Sequence, residues 1–223
     1  CIHPAEQVGD VPVVGGTKTP TLSKIHGAQP DLVVMDRDEN PKSVHDWCVA
    51  NGLPPFVCDV RHPRDVPAML RELGQAVNRS EVAEVHACAI EAMLRRAPDT
   101  NGRTALPLIW HRPLMAANGT TYAGNMLACL GFNVPNIEPD GTGYPEVSPE
   151  IILQHGVTDV FLSSEPHEFT DEESGSLSEA FGNLTATPPR LHFTDGEELT
   201  WMGSRTAEAL QRLGERLNRV HLE

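Results

Sequence analysis

The feature that most constrains this chain is its order of short apolar runs and helical stretches, which alternate at close spacing. Asp31-Leu-Val-Val-Met35 reads as a buried strand. A helix over Pro41–Asn51 follows, closed by Asn51-Gly52, and then a strand at Phe56-Val-Cys-Asp59. Residues 11–20 read as a short strand running into a Gly-rich loop, with a short helix over 21–28 capped by Thr19 or Thr21. Such spacing needs parallel strands joined by crossover helices.

The second half repeats the order. Strands are expected at Ala105–Trp110, Asp159–Ser163 and Arg190–Phe193. Helices are expected at 121–130, at 148–155 with Ser148 as N-cap, around Ser176–Phe181, and from Gly203 to Leu222. Between the halves, Val66, Met69, Leu70, Leu73, Val77, Val82, Val85, Ala89 and Met93 are spaced mostly by three and four. That periodicity predicts one long helix over 63–98, with Gly74 and Asn78-Arg-Ser80 as weak points where it kinks or divides.

The 223 residues are enough for one large domain or two lobes. A net charge of −14 argues against non-specific nucleic-acid binding, which needs a basic surface. No run of 18 apolar residues is present. The five cysteines show no CxxC or metal-type spacing; Cys88 and Cys129 sit in apolar helical patterns and read as buried thiols. A Cys48–Cys58 disulfide is the alternative for that pair. The sequons at Asn78, Asn118 and Asn183 carry little weight.

Ligands of open α/β sheets sit beyond the carboxyl ends of the strands. The segments after the strands here hold aromatic, thioether, carboxylate and imidazole groups, a mixture suited to a bulky, partly apolar ligand. Trp110, at the end of an apolar strand, reads as core. Tyr144 serves equally as loop anchor or ligand contact. Nothing matches GxSxG, a P-loop or GxGxxG.

Several motifs, taken in order, resemble one family: residues 14–20 (Val-Gly-Gly-Thr-Lys-Thr-Pro), Gln29-Pro-Asp-Leu-Val-Val34, the long helical stretch, Arg112-Pro-Leu-Met115, Leu130-Gly-Phe-Asn-Val134, Tyr144-Pro-Glu-Val-Ser-Pro-Glu150 and Asp159-Val-Phe-Leu-Ser163. Nearly the whole chain is similar to the helical-backbone (class III) substrate-binding proteins of ABC importers, the cobalamin and ferric-siderophore receptors, and most similar to the cobalamin branch. The resemblance implies an α/β fold of two Rossmann-like lobes joined by a long backbone helix, with the ligand cleft between them. The corresponding limits are 1–62 for the first lobe, 63–98 for the helix and 99–223 for the second lobe. Family members begin with a further β–α unit, so the first lobe looks truncated.

The resemblance further implies a non-enzymatic, extracytoplasmic monomer without an intrinsic cofactor, delivering cobalamin or a ferric siderophore to an ABC permease. Asp36, Met115, Tyr144, Trp201 and Arg205 fall at its ligand-facing positions, Asp36 where the cobalamin branch can carry a Trp. Glu150 matches the permease-docking glutamate of the second lobe, and Glu39 stands nearest its poorly matched first-lobe counterpart. Two rivals remain. In a direct zinc or manganese receptor, His62, His111, Glu165 and His167 would converge on one ion. A chelatase-like enzyme would need a facing acid–base pair, and His111 with Glu165 is the available one.

Overall fold

The computed structural model describes residues 5–96, 100, 102–138 and 141–220. The chain is α/β and divides into two compact units, Cys1–Asp59 and Val60–Glu223. Among the described residues, no helix is long and apolar enough to cross a membrane.

The first unit runs α1 (Ala5–Val8), α2 (Leu22–Gly27), β1 (Val33–Asp36), α3 (Lys42–Ala50) and β2 (Pro55–Cys58). β1 and β2 pair in parallel, Val33 opposite Pro55 and Asp36 opposite Cys58. Ile25, Met35, Val44 and Cys48 form its core. Residues 11–20 are not a strand. Gly15, at φ +117°, turns the chain into an isolated bridge with Pro20, closed by the Thr21 N–H donating to the Val14 carbonyl at 2.7 Å. Val11 and Val13 are left exposed.

The second unit opens with a 3-10 turn (Pro63–Asp65) and two helices, α4 (Val66–Ala76) and α5 (Ser80–Leu94). The single long helix expected over 63–98 is therefore a helical hairpin as far as residue 96, and residues 97–98 lie outside the described residues. Asn78 takes φ +54° and reverses the chain. Gly74 lets the helices close: a Cβ there would lie 2.3 Å from Ala83 Cβ. Arg71 ties them further, its Nε and Nη2 on the Glu84 carboxylate at 2.7 and 2.8 Å and its Nη1 on Glu91 at 2.7 Å. These bonds hold the Glu84 carboxyl down at about 2.

There follow β3 (Ala105–Trp110), β4 (Met115–Ala116), α6 (Tyr122–Cys129), α7 (Pro149–Gln154), β5 (Asp159–Ser163), α8 (Asp171–Leu184), β6 (Arg190–Thr194), α9 (Gly196–Thr200) and α10 (Thr206–Val220). The sheet order is β4-β3-β5-β6, with β3, β5 and β6 parallel and β4 antiparallel to β3. Side chains alternate between two cores. Ala105 and Phe161 pack with α5, α6, α9 and α10, while Leu106, Leu108, Val160 and Leu162 pack with α7 and α8. Both faces are covered, which is why β3 and β5 read as unbroken apolar runs.

Four cysteines are free thiols, so Cys48 and Cys58 are not joined. Cys88, expected to be buried, is exposed on α5 and donates its thiol proton to Glu84 at 3.2 Å; Cys129 is half-buried. Asn118 is buried, its amide donating to the Ile137 carbonyl at 2.7 Å, so that sequon is closed to modification in the folded chain.

A buried charge cluster fixes the amino end of β5. Asp159 accepts from Arg103 Nε at 2.8 Å, His192 Nε2 at 2.7 Å and Thr158 Oγ1 at 2.8 Å. Burial alone would raise its carboxyl; the three donors instead hold it well below the carboxylate range. Its stabilisation is therefore complete above the unfolded pKa of about 3.9 and is lost as the pH falls towards the folded value.

Two predictions follow from this packing. Gly74→Ala should destabilise the second unit by about 2 kcal/mol, since overpacking outweighs the roughly 1 kcal/mol that alanine gains over glycine in a helix. A lower urea midpoint with unchanged slope is expected, with recovery on adding Ala83→Gly. Asp159→Asn should cost about 3 kcal/mol at neutral pH by removing the buried carboxylate that offsets the half-buried Arg103. That deficit should shrink when denaturation is repeated below pH ~4.

Candidate functional site

β3, β5 and β6 point the same way, so their carboxyl ends form one rim of the sheet in the second unit. β3 ends at Trp110, which is 40% exposed rather than core. The chain turns at His111 and returns as β4, setting Met115 opposite Trp110. The segment Gly143–Val147 runs antiparallel beside β4: Ala116 N–H donates to the Pro145 carbonyl at 3.0 Å and Val147 N–H to the Leu114 carbonyl at 2.8 Å. Tyr144 lies in that segment and is 38% exposed.

Two groups of side chains gather around residues of the loop after β5. In the first, Trp201 Nε1–H donates to the Glu165 carboxylate at 2.8 Å. The Arg205 guanidinium lies 5.3 Å over the Trp201 ring and 2.7 Å from the Glu197 carboxylate. Trp201 and Arg205, both expected to face ligand, thus sit together at the end of α9 and the approach to α10. Their orientation is fixed by a hydrogen bond, a cation–π contact and an ion pair.

In the second group, His111 Nδ1 lies 2.7 Å from Glu173 Oε1, and His167 Nε2 lies 3.1 Å from both Glu173 oxygens. A carboxylate can only accept, so the His167 ring donates, while His111 lies against the carboxylate as a close charge partner. The imidazoles stack at 6.1 Å, with Phe169 edge-on to both and Trp110 5.6 Å from His167. Glu173 is the third helical residue of α8 in a reciprocal capping box: Thr170 N–H donates to its Oε2 at 2.9 Å, and Glu173 N–H donates to Thr170 Oγ1 at 3.2 Å. The Thr170 backbone bond, followed by His167 and the Thr170 hydroxyl, lowers its carboxyl to about 2.

This arrangement differs from the four-residue set read from the sequence. His111 and His167 do converge, but on Glu173. Glu165 is turned to Trp201. His62 caps the 3-10 turn, its Nδ1 accepting from Arg64 N–H at 3.0 Å. The acid–base pair of His111 and Glu165 is likewise not formed, because each side chain has its own partner. Glu173 was missed because the helix was expected to start near Ser176. The signal was in the sequence: Thr170-Asp-Glu-Glu173 is a capping-box pattern.

The remaining expected residues lie elsewhere. Asp36 ends β1, where its Oδ1 accepts from the N–H groups of Asp38 at 2.9 Å and Glu39 at 3.0 Å. Burial pushes its carboxyl up against those two bonds. Glu39 accepts from Thr17 Oγ1 at 3.1 Å and lies 3.5 Å from Lys18 Nζ. Glu150 sits exposed in the first turn of α7, its carboxyl lowered by Ser148 and its own backbone N–H.

No known family profile matches the sequence, and no curated protein matches it. Solved structures do. The periplasmic vitamin B12 binding protein of Vibrio cholerae superposes with a TM-score of 0.75 at 14% identity, covering 99% of this chain and 86% of its own. A periplasmic heme-binding protein from Roseiflexus gives 0.71 at 20% identity, with coverage of 96% and 85%. An ABC transporter substrate-binding protein from Listeria monocytogenes gives 0.72 at 16% identity, with coverage of 94% and 85%. The fold implied by the sequence resemblance is the one found: this chain has the fold of the periplasmic vitamin B12- and heme-binding proteins.

Proposed function

We propose that this chain is a receptor that captures a planar metal chelate, a corrinoid or porphyrin, outside the cytoplasm and hands it to an ABC importer. The observation that carries this reading is the strand-end rim. On a fold shared with vitamin B12- and heme-binding proteins, it presents Trp110, Met115, Tyr144 and Trp201, with Arg205 beside them. Exposed Trp110 and Tyr144, with half-buried Met115 and Trp201, suit the flat apolar face of a macrocycle, and a guanidinium suits its anionic substituents. The rim favours a large conjugated ring over a ferric siderophore, the other ligand implied by the sequence resemblance, because aromatic surface outweighs fixed charge there.

Binding, rather than turnover, also fits the state of the acidic groups. Glu165, Glu173 and Asp36 are each engaged by fixed donors. A general base needs a substrate proton within reach instead. Glu150 and Glu39 are proposed as permease contacts, with Glu39 partly held by Lys18.

The test is calorimetric and absorbance titration of the purified chain with hemin and cyanocobalamin, with a ferric siderophore in parallel. Saturable one-to-one binding of a macrocycle is expected, and binding of the siderophore alone would overturn the choice of ligand class. Tyr144→Ala and Trp201→Ala should each weaken binding about tenfold without changing the melting curve, as loss of one aromatic contact implies. Unchanged affinity would remove that residue from the site. Glu150→Ala should leave ligand affinity intact and lower uptake in cells that carry the cognate permease; normal uptake would remove its docking role.

A further inference from the structure

We infer that His111, His167 and Glu173 form a binding site for a single divalent transition-metal ion, with Zn2+ the best chemical match. Its three ligands are not among the proposed chelate-binding side chains, although Trp110 borders both groups, and the site does not depend on that reading. Each of the three residues offers a ligand atom, and these atoms lie within 4.8 Å of one another. Tetrahedral zinc with bonds of about 2.0–2.1 Å places its ligand atoms roughly 3.3 Å apart. The present nitrogen–oxygen separations of 2.7 and 3.1 Å need only a small spread to reach that spacing.

The donor set selects the ion. Two imidazoles and one carboxylate suit zinc and neighbouring borderline cations, whereas calcium and magnesium prefer oxygen alone. His111 would bind through Nδ1 and His167 through Nε2, each ring carrying its proton on the other nitrogen, so both are neutral ligands. Three protein ligands leave a fourth position for water or an incoming group. The side chains are 16%, 28% and 19% exposed, so an ion can enter from solvent without the site dissolving into bulk water.

The surroundings are built as a metal site's outer shell is built. Thr170 grips Glu173 through both its N–H and its hydroxyl, at 2.9 and 3.2 Å. Phe169 and Trp110 pack on the imidazoles and hold their planes. Such orientation of ligands by neighbours typically carries ten- to a hundredfold in affinity. The ion would pin the turn after β3 to the loop after β5 and to the first turn of α8, which that loop enters.

The experiment is titration of the purified full chain with ZnCl2 under reducing conditions, by calorimetry and by competition with a chromophoric chelator. Wild type should bind one equivalent, and Co2+ in its place should give the intense visible bands of a four-coordinate site. Glu173→Gln and the double variant His111→Ala/His167→Ala should weaken binding by at least about 100-fold, and Thr170→Ala by about tenfold. Glu173→Gln keeps a carbonyl able to accept from Thr170, so its circular dichroism should match wild type and its loss of zinc is read on a folded protein. Absence of stoichiometric zinc binding in the wild type would overturn the site. So would retention of full affinity in the double variant, or a cobalt spectrum showing only six-coordinate metal.

Discussion

Everything in the second unit depends on burying β3 and β5 on both faces. A parallel pair has no solvent side, so each successive residue must find an apolar partner, in one core or the other. Phe161 faces the α6 and α10 side, and Val160 and Leu162 the α7 and α8 side. With both faces sealed, polar chemistry is confined to the strand ends. The amino end of β5 holds Asp159, whose charge is absorbed by Arg103 and His192. The carboxyl ends open into turns whose side chains are partly exposed. The difference between the ends explains why one Asp is structural and the other rim carries candidate ligand groups.

Legibility in the sequence followed the same division. β3 and β5 were read to the residue, because an apolar run bounded by polar turns has one solution when both its faces are covered. The hairpin of α4 and α5 was not. Hydrophobic spacing runs through the turn without a break in register, and the reversal rests on two small features. Gly74 supplies space instead of weakening a helix, and Asn78 supplies a left-handed backbone. Cys88 shows the same limit, since an apolar stripe does not say which flank of a helix is covered; its thiol lies on the open side beside Glu84.

At the rim, the types of residue were legible and their partners were not. His111 and His167 were read as residues following strands, and topology alone puts them there; Trp201 and Arg205, read at the entry to the last helix, lie between α9 and α10. Which carboxylate met which imidazole depended on the path of a loop. Glu165 and His167 are two residues apart, yet one turns to Trp201 and the other to Glu173. Glu173 entered through the capping box that starts α8, where a carboxylate is held for the helix and is thereby aimed at the histidines.

That double use has a physical consequence. A capping carboxylate is preorganised by bonds to the backbone, so its position costs little further conformational entropy when a third group binds. Thr170 fixes one oxygen of Glu173, while the other meets both His111 and His167. A cation entering among the rings would take over contacts that the imidazole nitrogens now make with Glu173, leaving the cap on Oε2 in place. Zinc occupancy would thereby tighten α8 onto the turns after β3 and β5 without unmaking the helix start. The same turns carry Trp110 and Glu165, and Glu165 positions Trp201. Ordering of the loops by an ion is thus connected through short, named contacts to the aromatic groups proposed to receive the chelate.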